Sequence, residues 1–469
     1  MTNKLIRNIA LFGIGVYLLA LLVISVAFHE HALHLKWMLW GIGEVLFFFV
    51  LTAIFYPRWK TKETKGFKWT VFLVAFGIRA VYAFVMLYYY YMETGIAFEY
   101  NVGDSLWYHR TSVLIANTIK EGDALQALRY LRHSTMGYSD QGYVFWLTLL
   151  YSIFGHSWFV PRLFKALMCA YMCVVIYKLG SRTMGERTGR LAAVMCVFMP
   201  ILIQICGIHT KEMEMIFLSI LALERMDYLI RSKKYTVWNI LCPILLTGLT
   251  FGFRTIVGMC LLFAFLVFVL VSSKDLVSKR GKILTLVTAM AVFILFLQSP
   301  IGREMRNIYR LKFTDLNYQS EKYEDLGMKH GGLAKSWYMA PGAFVLPLAP
   351  MVEKSPENNK MIHGSTYVTN FLAFFAMLAI AIAIRQRKWR DFSLIGAYEL
   401  SYLALVMFSF AANSERYHEP AVPLLILMAA YAMTHLRHKD MKLFYVYCGL
   451  LFVALFIWNW LKLSARGLS

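Results

Sequence analysis

Long apolar segments recur along the chain, and short clusters of lysine and arginine separate them. Most of these segments approach the roughly 20 residues that a helix needs to cross a bilayer. The pattern predicts about thirteen transmembrane helices, at residues 8–28, 37–56, 69–91, 161–179, 191–207, 213–230, 236–252, 255–273, 283–298, 366–384, 392–411, 418–434 and 443–461. No small-residue cleavage site follows the first segment, which is therefore predicted to be a true span and not a signal peptide.

The basic clusters predict the orientation of these helices. If the N-terminus is cytoplasmic, every cluster returns to the cytoplasmic side, as the positive-inside rule requires. The clusters lie at residues 58–68, 178–190, 231–234, 274–282, 385–390 and 436–442. The exterior face then carries two long loops, 92–160 and 299–365, and several short turns. We expect the functional groups on these loops and on the helix ends beside them.

The composition agrees with a membrane protein and argues against nucleic acid as a partner. The 469 residues are 59% hydrophobic and 16% charged, with a mean hydropathy of +0.55, whereas soluble domains carry about 25% charged residues. We therefore predict an all-α polytopic membrane protein. The net charge of +21 would suggest nucleic acid in a soluble protein, but no basic stripe with interleaved aromatic residues is present, so nucleic acid is set aside. The seven cysteines all lie in apolar segments, where they act as small hydrophobic residues.

The first long exterior loop has an organisation of its own. Asp104 and Asp123 each precede an amphipathic stretch, and each is well placed to cap a short helix on the membrane surface. The apolar segment at 142–159 is predicted to be interfacial or re-entrant. A full span there would place the following basic cluster outside.

Several segments resemble a known family. They are GDSLWYHRTSVLIAN, DQGYVFWLTLLYSIFGHSWFVPRLFKAL, PILIQICGIHTKEMEM and the late NSERYHEPAVPLLILMAAYA. Together they resemble the GT-C superfamily of polytopic glycosyltransferases, in particular its protein-mannosyltransferase-like and aminoarabinose-transferase-like branches. The likeness covers residues 70–270 and, more loosely, the rest. It implies transfer of a sugar from a polyprenyl phosphate or pyrophosphate to a hydroxyl, amine or amide on the exterior face.

The resemblance also implies which acidic residues are catalytic. The family's acidic residue in the first loop corresponds to Asp104, and its second acidic element corresponds to Glu212 or Glu214. The chain departs from the family in two ways, since Asp104 lacks an adjacent acidic partner and two helices precede the usual first one. The missing partner weakens the case for a metal held by an acidic pair, and the use of a divalent metal stays open.

The chemistry of Asp104 fits the implied reaction. A carboxylate at bond-forming distance can take the acceptor's proton as the new bond forms, which makes Asp104 the predicted general base of an inverting displacement. Capping of the following helix is the alternative. Tyr108 and His109 lie one helical turn later and could contact substrate, although interfacial Tyr and His residues often serve only as anchors.

The second exterior turn concentrates ionisable residues. His209, Lys211, Glu212 and Glu214 are costly at this depth unless they are paired or solvated. We predict that Lys211 neutralises the donor phosphate, that Glu212 orients the sugar or holds a metal, and that His209 and Glu214 contact substrate. A simple Lys–Glu pair at a wet interface explains the turn equally well.

Two exterior arginines are predicted to bind the lipid phosphate. Arg254 and Arg416 lie at helix ends away from the cytoplasmic basic clusters, and the planar guanidinium group binds two phosphate oxygens at once. Snorkelling to lipid head groups is the alternative. Arg162 and Arg303 are weaker candidates of the same kind.

The resulting organisation has four parts. Residues 1–68 form two N-terminal helices and a basic cytoplasmic loop, 69–298 the GT-C-like catalytic core, 299–365 an exterior flap, and 366–469 the C-terminal helices. Three prolines near the end of the flap exclude a regular spanning helix, and such a segment could cover a lipid-linked substrate.

Two alternatives remain open. One is an oligosaccharyltransferase of the same superfamily, which uses a pyrophosphate-linked glycan. The other is a lipid-linked-sugar flippase or secondary transporter, suggested by charged residues inside predicted spans, namely Glu44, Arg79, Glu224 and Glu399. Transporters of this size usually have two related halves, and no such internal repeat is evident in this sequence.

The leading interpretation is an integral glycosyltransferase of a bacterial inner membrane, with its active face in the periplasm. The acceptor, whether a lipid, a polysaccharide or a protein, stays open.

Overall fold

The computed structural model describes residues 3–100, 103–133, 138–272, 276–299, 302–303, 306, 342–407 and 414–464. Within these ranges the chain is helical, and the sole β-type pairing is an isolated bridge between Ala32 and Val352. The α-helices are α1 Asn3–Ala27, α2 Leu35–Trp59, α3 Thr64–Thr94, α4 Gly103–Lys120, α5 Ala124–His133, α6 Tyr138–Phe154, α7 Phe159–Met184, α8 Glu186–Phe198, α9 Pro200–Gly207, α10 Glu212–Ser232, α11 Val237–Phe253, α12 Thr255–Val271, α13 Lys279–Gln298, α14 Glu357–Arg385, α15 Ser393–Met407, α16 Val422–Thr434 and α17 His438–Ser464.

The predicted class, an all-α polytopic membrane protein, is confirmed. In the described part of the chain, seven helices are long and apolar enough to cross a membrane, namely α1, α2, α3, α7, α13, α14 and α17. The pair α8–α9, bent by 46°, would make an eighth, and α11, α12 and α15 are shorter apolar helices. The described part of each predicted span overlaps a helix or, at 191–207, this bent pair, while residues 273 and 408–411 lie outside the described residues. Length and composition do not test how many of these helices cross a membrane, so the number of thirteen transmembrane helices stays a prediction.

The two short helices predicted in the first exterior loop are present as α4 and α5. Asp123 caps α5 as predicted, because its Oδ1 accepts a hydrogen bond from the Gln126 amide at 2.9 Å. Asp104 differs. It lies in the first turn of α4, and its carboxylate binds Arg416, far away in sequence.

Arg79 stabilises the bend between α8 and α9. Pro200 has no N–H, so the carbonyl of Cys196 loses its usual helical partner. Arg79 of α3 supplies the missing donors, at 2.8 Å from the Cys196 carbonyl and 3.1 Å from that of Val197. The hydrogen bonds of this buried charge are therefore used at the helix break, after which α9 leads to the turn that carries His209 and Lys211.

Two of the other three intramembrane charged residues also have partners within the fold. Glu44 accepts a hydrogen bond from the Ser365 amide at 2.9 Å, and Glu224 accepts one from Arg182 at 3.1 Å. Glu399 is fully buried, and neither of its carboxylate oxygens has a hydrogen-bond partner among the described residues.

The end of the segment between α13 and α14 is fixed between helices. Leu348, Ala349, Met351 and Val352 are buried. The side chain of Asn370 on α14 donates to two carbonyls of this segment, and the side chain of Asn459 on α17 bonds to its backbone at both Ala349 and Met351. Residues 307–341 lie outside the described residues, so the predicted covering role of this loop stays a prediction.

The N-terminal helix pair packs closely against α14, and one glycine allows it. A Cβ at Gly41 would overlap with the His363 ring and the Tyr17 hydroxyl, which hydrogen bond to each other at 2.9 Å. Gly43, which lies on the same helix but faces another direction, has open space around its own Cβ position.

Gly41→Ala is therefore expected to destabilise the protein, by about 1–3 kcal/mol, because overpacking forces buried side chains to move. Thermal unfolding in detergent would measure this, with Gly43→Ala as the matched control that leaves stability unchanged. Equal stability of both variants would contradict the close packing of α2 on α14.

Candidate active site

Arg416 joins the two predicted catalytic carboxylates. Its Nη1 lies 2.6 Å from Asp104 Oδ2, and its Nε donates to Glu212 Oε1. The three groups come from α4, the start of α10 and the turn before α16. Residues separated by up to 312 positions in sequence thus meet at one point.

The two carboxylates differ in their exposure to solvent. The Asp104 side chain is 60% exposed, and that of Glu212 is 0% exposed. Glu212 therefore holds the guanidinium from the interior, whereas Asp104 reaches it from the exposed side. Because exposed ion pairs contribute only about 0–1 kcal/mol, Asp104 can exchange Arg416 for another partner at little cost.

The charge on Glu212 is set by a balance of opposing effects. Burial raises the pKa of this carboxyl, but Arg416 and Lys211 outweigh burial and lower the pKa to about 2. The N-terminus of α10, where Glu212 is the first residue, also favours a carboxylate. Conversely, the two carboxylates raise the pKa of Arg416 despite its burial. The Arg416–Glu212 pair is thus fully charged at neutral pH.

Asp104 and Arg416 line a cavity of about 350 Å³. Its polar side chains come mainly from the loop before α4, the start of α14 and the turn before α16, and they include Glu99, Asp104, Ser105, Asn358, Asn359, Glu415, Arg416 and Glu419. Its apolar side chains come mainly from α9 and the start of α14, and they include Ile201, Ile205, Ile208, Met361 and Ile362. The cavity therefore suits an amphiphilic ligand.

Two buried carboxylate oxygens of the cavity wall, Glu415 Oε1 and Glu419 Oε2, have no hydrogen-bond partner among the described residues. Burial raises the pKa of Glu415. Unpaired buried polar groups cost free energy, so these atoms point to a ligand that supplies hydrogen bonds, as a polyhydroxylated sugar would.

Lys211 and Tyr108 meet at Asp140. The Lys211 ammonium and the Tyr108 hydroxyl both donate to Asp140 Oδ1, the latter at 3.0 Å. Burial lowers the pKa of Lys211, and Asp140 opposes this by favouring the charged form. Arg254 lies beside Tyr417, with its guanidinium carbon 4.3 Å from the centre of that ring. Neither Lys211 nor Arg254 lines the cavity, and phosphate binding by these two cations stays a prediction.

The two predicted histidines form a separate network through Tyr151. The Trp158 indole donates to His109 Nε2 at 3.2 Å, so a neutral His109 carries its proton on Nδ1, 2.9 Å from the Tyr151 hydroxyl. That hydroxyl lies 3.0 Å from His209 Nε2. Burial lowers the pKa of both imidazoles, that of His109 to about 4, so both are neutral at neutral pH.

Neither imidazole lines the cavity, and their substrate contacts stay predictions. In the structure, the backbone at His209 supports the cavity wall. The backbone amide of His209 donates to Glu99 Oε2 at 3.3 Å, and the Ser105 hydroxyl donates to Glu99 Oε1.

Glu214 lies behind the site rather than in its wall. Its carboxylate is 3.7 Å from the ammonium of Lys165, which also donates to the carbonyls of Ile208 and Thr210. Arg162 plays a similar part for the first loop, since its Nη2 donates to the Ala97 carbonyl at 2.7 Å. These two cations hold the backbone that presents Glu212 and Glu99.

Sequence reasoning missed several residues of the cavity. Glu99 provides a second carboxylate in the first long loop, shortly before Asp104. An acidic residue at that place in the sequence could have indicated a site residue. Asn358, Asn359 and Glu419 carry no local signal, because ordinary polar residues acquire a role only when the helices bring them together.

Metal binding receives no geometric support in the ranges that the structure describes. There, no three His, Cys, Asp or Glu side chains are arranged to hold an ion. The question of a divalent metal stays open.

Part of the chain is similar to a known protein family. The family model described as dolichyl-phosphate-mannose-protein mannosyltransferase, a GT-C glycosyltransferase family, matches residues 142–297. The predicted resemblance to the GT-C superfamily is confirmed. The matched region runs from α6 to α13 and contains Glu212, Lys211 and Arg254, whereas Asp104 and Arg416 lie outside it.

Other comparisons add little detail. No curated protein sequence matches the chain. Among solved structures, the chain is similar to ArnT from Cupriavidus metallidurans bound to undecaprenyl phosphate, with 15% identity and a TM-score of 0.47 over 82% of this chain and 63% of that one. The chain thus spans less than two thirds of the length of ArnT.

Proposed function

We propose that this protein is a membrane glycosyltransferase that moves a sugar from a polyprenyl-phosphate-type lipid to an acceptor on the exterior face. The observation that carries the proposal is the meeting of Asp104, Arg416 and Glu212 at the polar end of an amphiphilic cavity. The family match supports the sugar-transfer class.

The cavity offers the groups that a sugar needs. Carboxylate and amide side chains such as Glu415, Glu419 and Asn359 can exchange hydrogen bonds with several hydroxyls. The Asn359 amide already donates to Glu415 at 2.9 Å, which leaves the other Glu415 oxygen directed at no protein partner among the described residues. A sugar bound here would satisfy that oxygen.

The cations beside the cavity suit the leaving phosphate. Displacement breaks the bond between the anomeric carbon and the phosphate oxygen, and the negative charge that develops on this oxygen needs preorganised donors. Arg416 lines the cavity, while Lys211 precedes its partner Glu212 in the chain and Arg254 stacks on the adjacent Tyr417. Glu212 keeps the Arg416 guanidinium in place while the charge develops.

Asp104 completes the reaction as general base. When a donor phosphate engages Arg416, the weak exposed pair between Arg416 and Asp104 gives way and releases the carboxylate. Asp104 then takes the proton of the acceptor group as its oxygen or nitrogen bonds to the anomeric carbon. Attack opposite the leaving phosphate inverts the configuration of that carbon.

Lipid extracts of cells that carry or lack the gene test the proposed reaction whichever sugar is transferred. Loss of the protein is expected to raise the level of one sugar-linked polyprenyl lipid and to remove one glycosylated envelope product, both measured by mass spectrometry. Complementation with the wild-type chain should reverse both changes.

Two outcomes would contradict this proposal. Unchanged polyprenyl-linked sugars would exclude a donor of this class. Passage of an unmodified lipid-linked sugar across proteoliposomes, reduced by Glu399→Gln and not by Asp104→Asn, would instead support the flippase or transporter alternative. A product carrying a whole oligosaccharide would favour the oligosaccharyltransferase alternative.

A further inference from the structure

The charged side chains that line the cavity are mainly negative. Within the described residues they comprise four carboxylates and one guanidinium, which belong to Glu99, Asp104, Glu415, Glu419 and Arg416. Arg416 is already paired with Asp104 at 2.6 Å, and it also donates to Glu212. Negative charge therefore exceeds positive charge in the cavity wall before any ligand binds.

The other carboxylates of the wall receive hydrogen bonds from neutral donors. Glu99 accepts one from a hydroxyl group and one from a backbone amide. Glu415 accepts one from the Asn359 amide at 2.9 Å, while its second oxygen and one oxygen of Glu419 have no hydrogen-bond partner among the described residues. A neutral donor satisfies a lone pair but does not balance a charge, so the wall keeps its negative charge and some free acceptor oxygens.

The amide donors of the wall are largely engaged within the protein itself. Asn358 donates to the Tyr100 carbonyl at 2.6 Å, and Gln204 donates to the Glu44 carboxylate and to the Met361 carbonyl. The hydroxyl hydrogens of a bound sugar can bond to free carboxylate oxygens, but a further acceptor on that sugar competes for donors that already have partners. Hydrogen bonding in the cavity therefore favours a ligand that brings donors of its own.

A carboxylate on the sugar would lack a cation in this cavity. The lipid donor proposed above brings one anion, its phosphate, and Arg416 is the one cation that lines the cavity in the described part of the chain. An acidic sugar adds a second anion, and like charges brought together disfavour binding. Protonation of a wall carboxyl such as Glu419 would supply one hydrogen-bond donor but no positive charge.

We infer that the cavity accepts sugars without an acidic group and excludes uronic acids, and that Glu415 and Glu419 determine this specificity. The inference rests on the proposed function, because it concerns the sugar of the same lipid donor. Glu415 and Glu419 are singled out because each has a carboxylate oxygen without a partner among the described residues. By contrast, Asp104 is held by Arg416, and both oxygens of Glu99 accept hydrogen bonds.

Pairs of sugars that differ only at C6 test the inference. The probes are undecaprenyl phosphate carrying glucose or glucuronic acid and the same lipid carrying galactose or galacturonic acid. Native mass spectrometry measures their binding to the full-length protein in detergent. In each pair the wild type should bind the hexose about 10- to 100-fold more tightly than the uronic acid. Glu415→Gln and Glu419→Gln should each lower this preference about three- to tenfold, because each removes negative charge without changing the shape of the side chain. Asp123→Asn is the matched control, since its carboxylate caps α5 outside the cavity and should not affect the preference.

Equal or tighter binding of the uronic acids to the wild type would overturn the inference. A preference that persists unchanged in both glutamine variants would reject the role of Glu415 and Glu419. If one variant fails to fold, the other variant and the wild-type comparison still decide. Failure of all four sugar-linked lipids to bind more tightly than undecaprenyl phosphate alone would instead reject the proposed function, since the sugar would then make no favourable contact with the protein.

Discussion

Arg416→Gln is expected to lower sugar transfer by about 100- to 1,000-fold, the effect of removing one preorganised donor from a developing negative charge. It should also lower stability, because Glu212 is fully buried and would lose its charged partner. Breaking a buried pair from one side typically costs about 3–5 kcal/mol. Transfer rates and thermal unfolding in detergent measure the two effects separately.

The double variant Arg416→Gln/Glu212→Gln separates catalysis from folding. Removing both charges should restore much of the stability, since no buried carboxylate is left unpaired, but it should not restore transfer. Arg129→Gln, at an exposed position on α5, is the matched control for loss of one exterior arginine. Full activity of the double variant would show that Arg416 does not act on the substrate.

The stability difference between wild type and Arg416→Gln should depend on pH in a defined direction. The ordinary pKa of the Glu212 carboxyl is 4.5. Burial raises this pKa, but Arg416 outweighs burial and lowers the pKa to about 2 in the folded protein. A group whose pKa falls on folding stabilises the protein above its unfolded pKa. The difference should therefore be complete above about pH 4.5 and should shrink as the pH falls towards 2.

Asp104→Asn is expected to lower transfer by about 100- to 10,000-fold, the range associated with loss of a general base. Stability should change by less than about 1 kcal/mol, because the pair with Arg416 is solvent-exposed on the Asp104 side. Asp123→Asn is the matched control. It also changes an exterior aspartate of the first loop, but one whose carboxylate caps α5.

The combination of lost transfer and retained stability distinguishes a base from a structural residue. If Asp104→Asn kept wild-type transfer, the general base would have to be sought among the other carboxylates of the cavity, of which Glu99 lies closest in sequence. If it lost stability instead, Asp104 would be mainly a support for Arg416.

The class and the helical framework of this protein could be predicted from its amino-acid sequence. The length of an apolar segment predicts a membrane helix from local sequence alone, because in a bilayer every backbone N–H and C=O group must form its hydrogen bond within the segment. The predicted spans therefore overlap helices in the structure. The capping of α5 by Asp123 was predictable for the same reason, since a cap and its target amide are three residues apart.

Tertiary structure alone decided how the site is assembled. Arg416 pairs with both Asp104 and Glu212, and Glu99, Asn359 and Glu419 contribute to the same cavity. All of these contacts join residues that are distant in sequence. Side-chain chemistry shows that an arginine can bind a carboxylate or a phosphate, but it does not show which one lies within reach. That choice depends on the packing of whole helices, because their crossing positions set which side chains share a cavity.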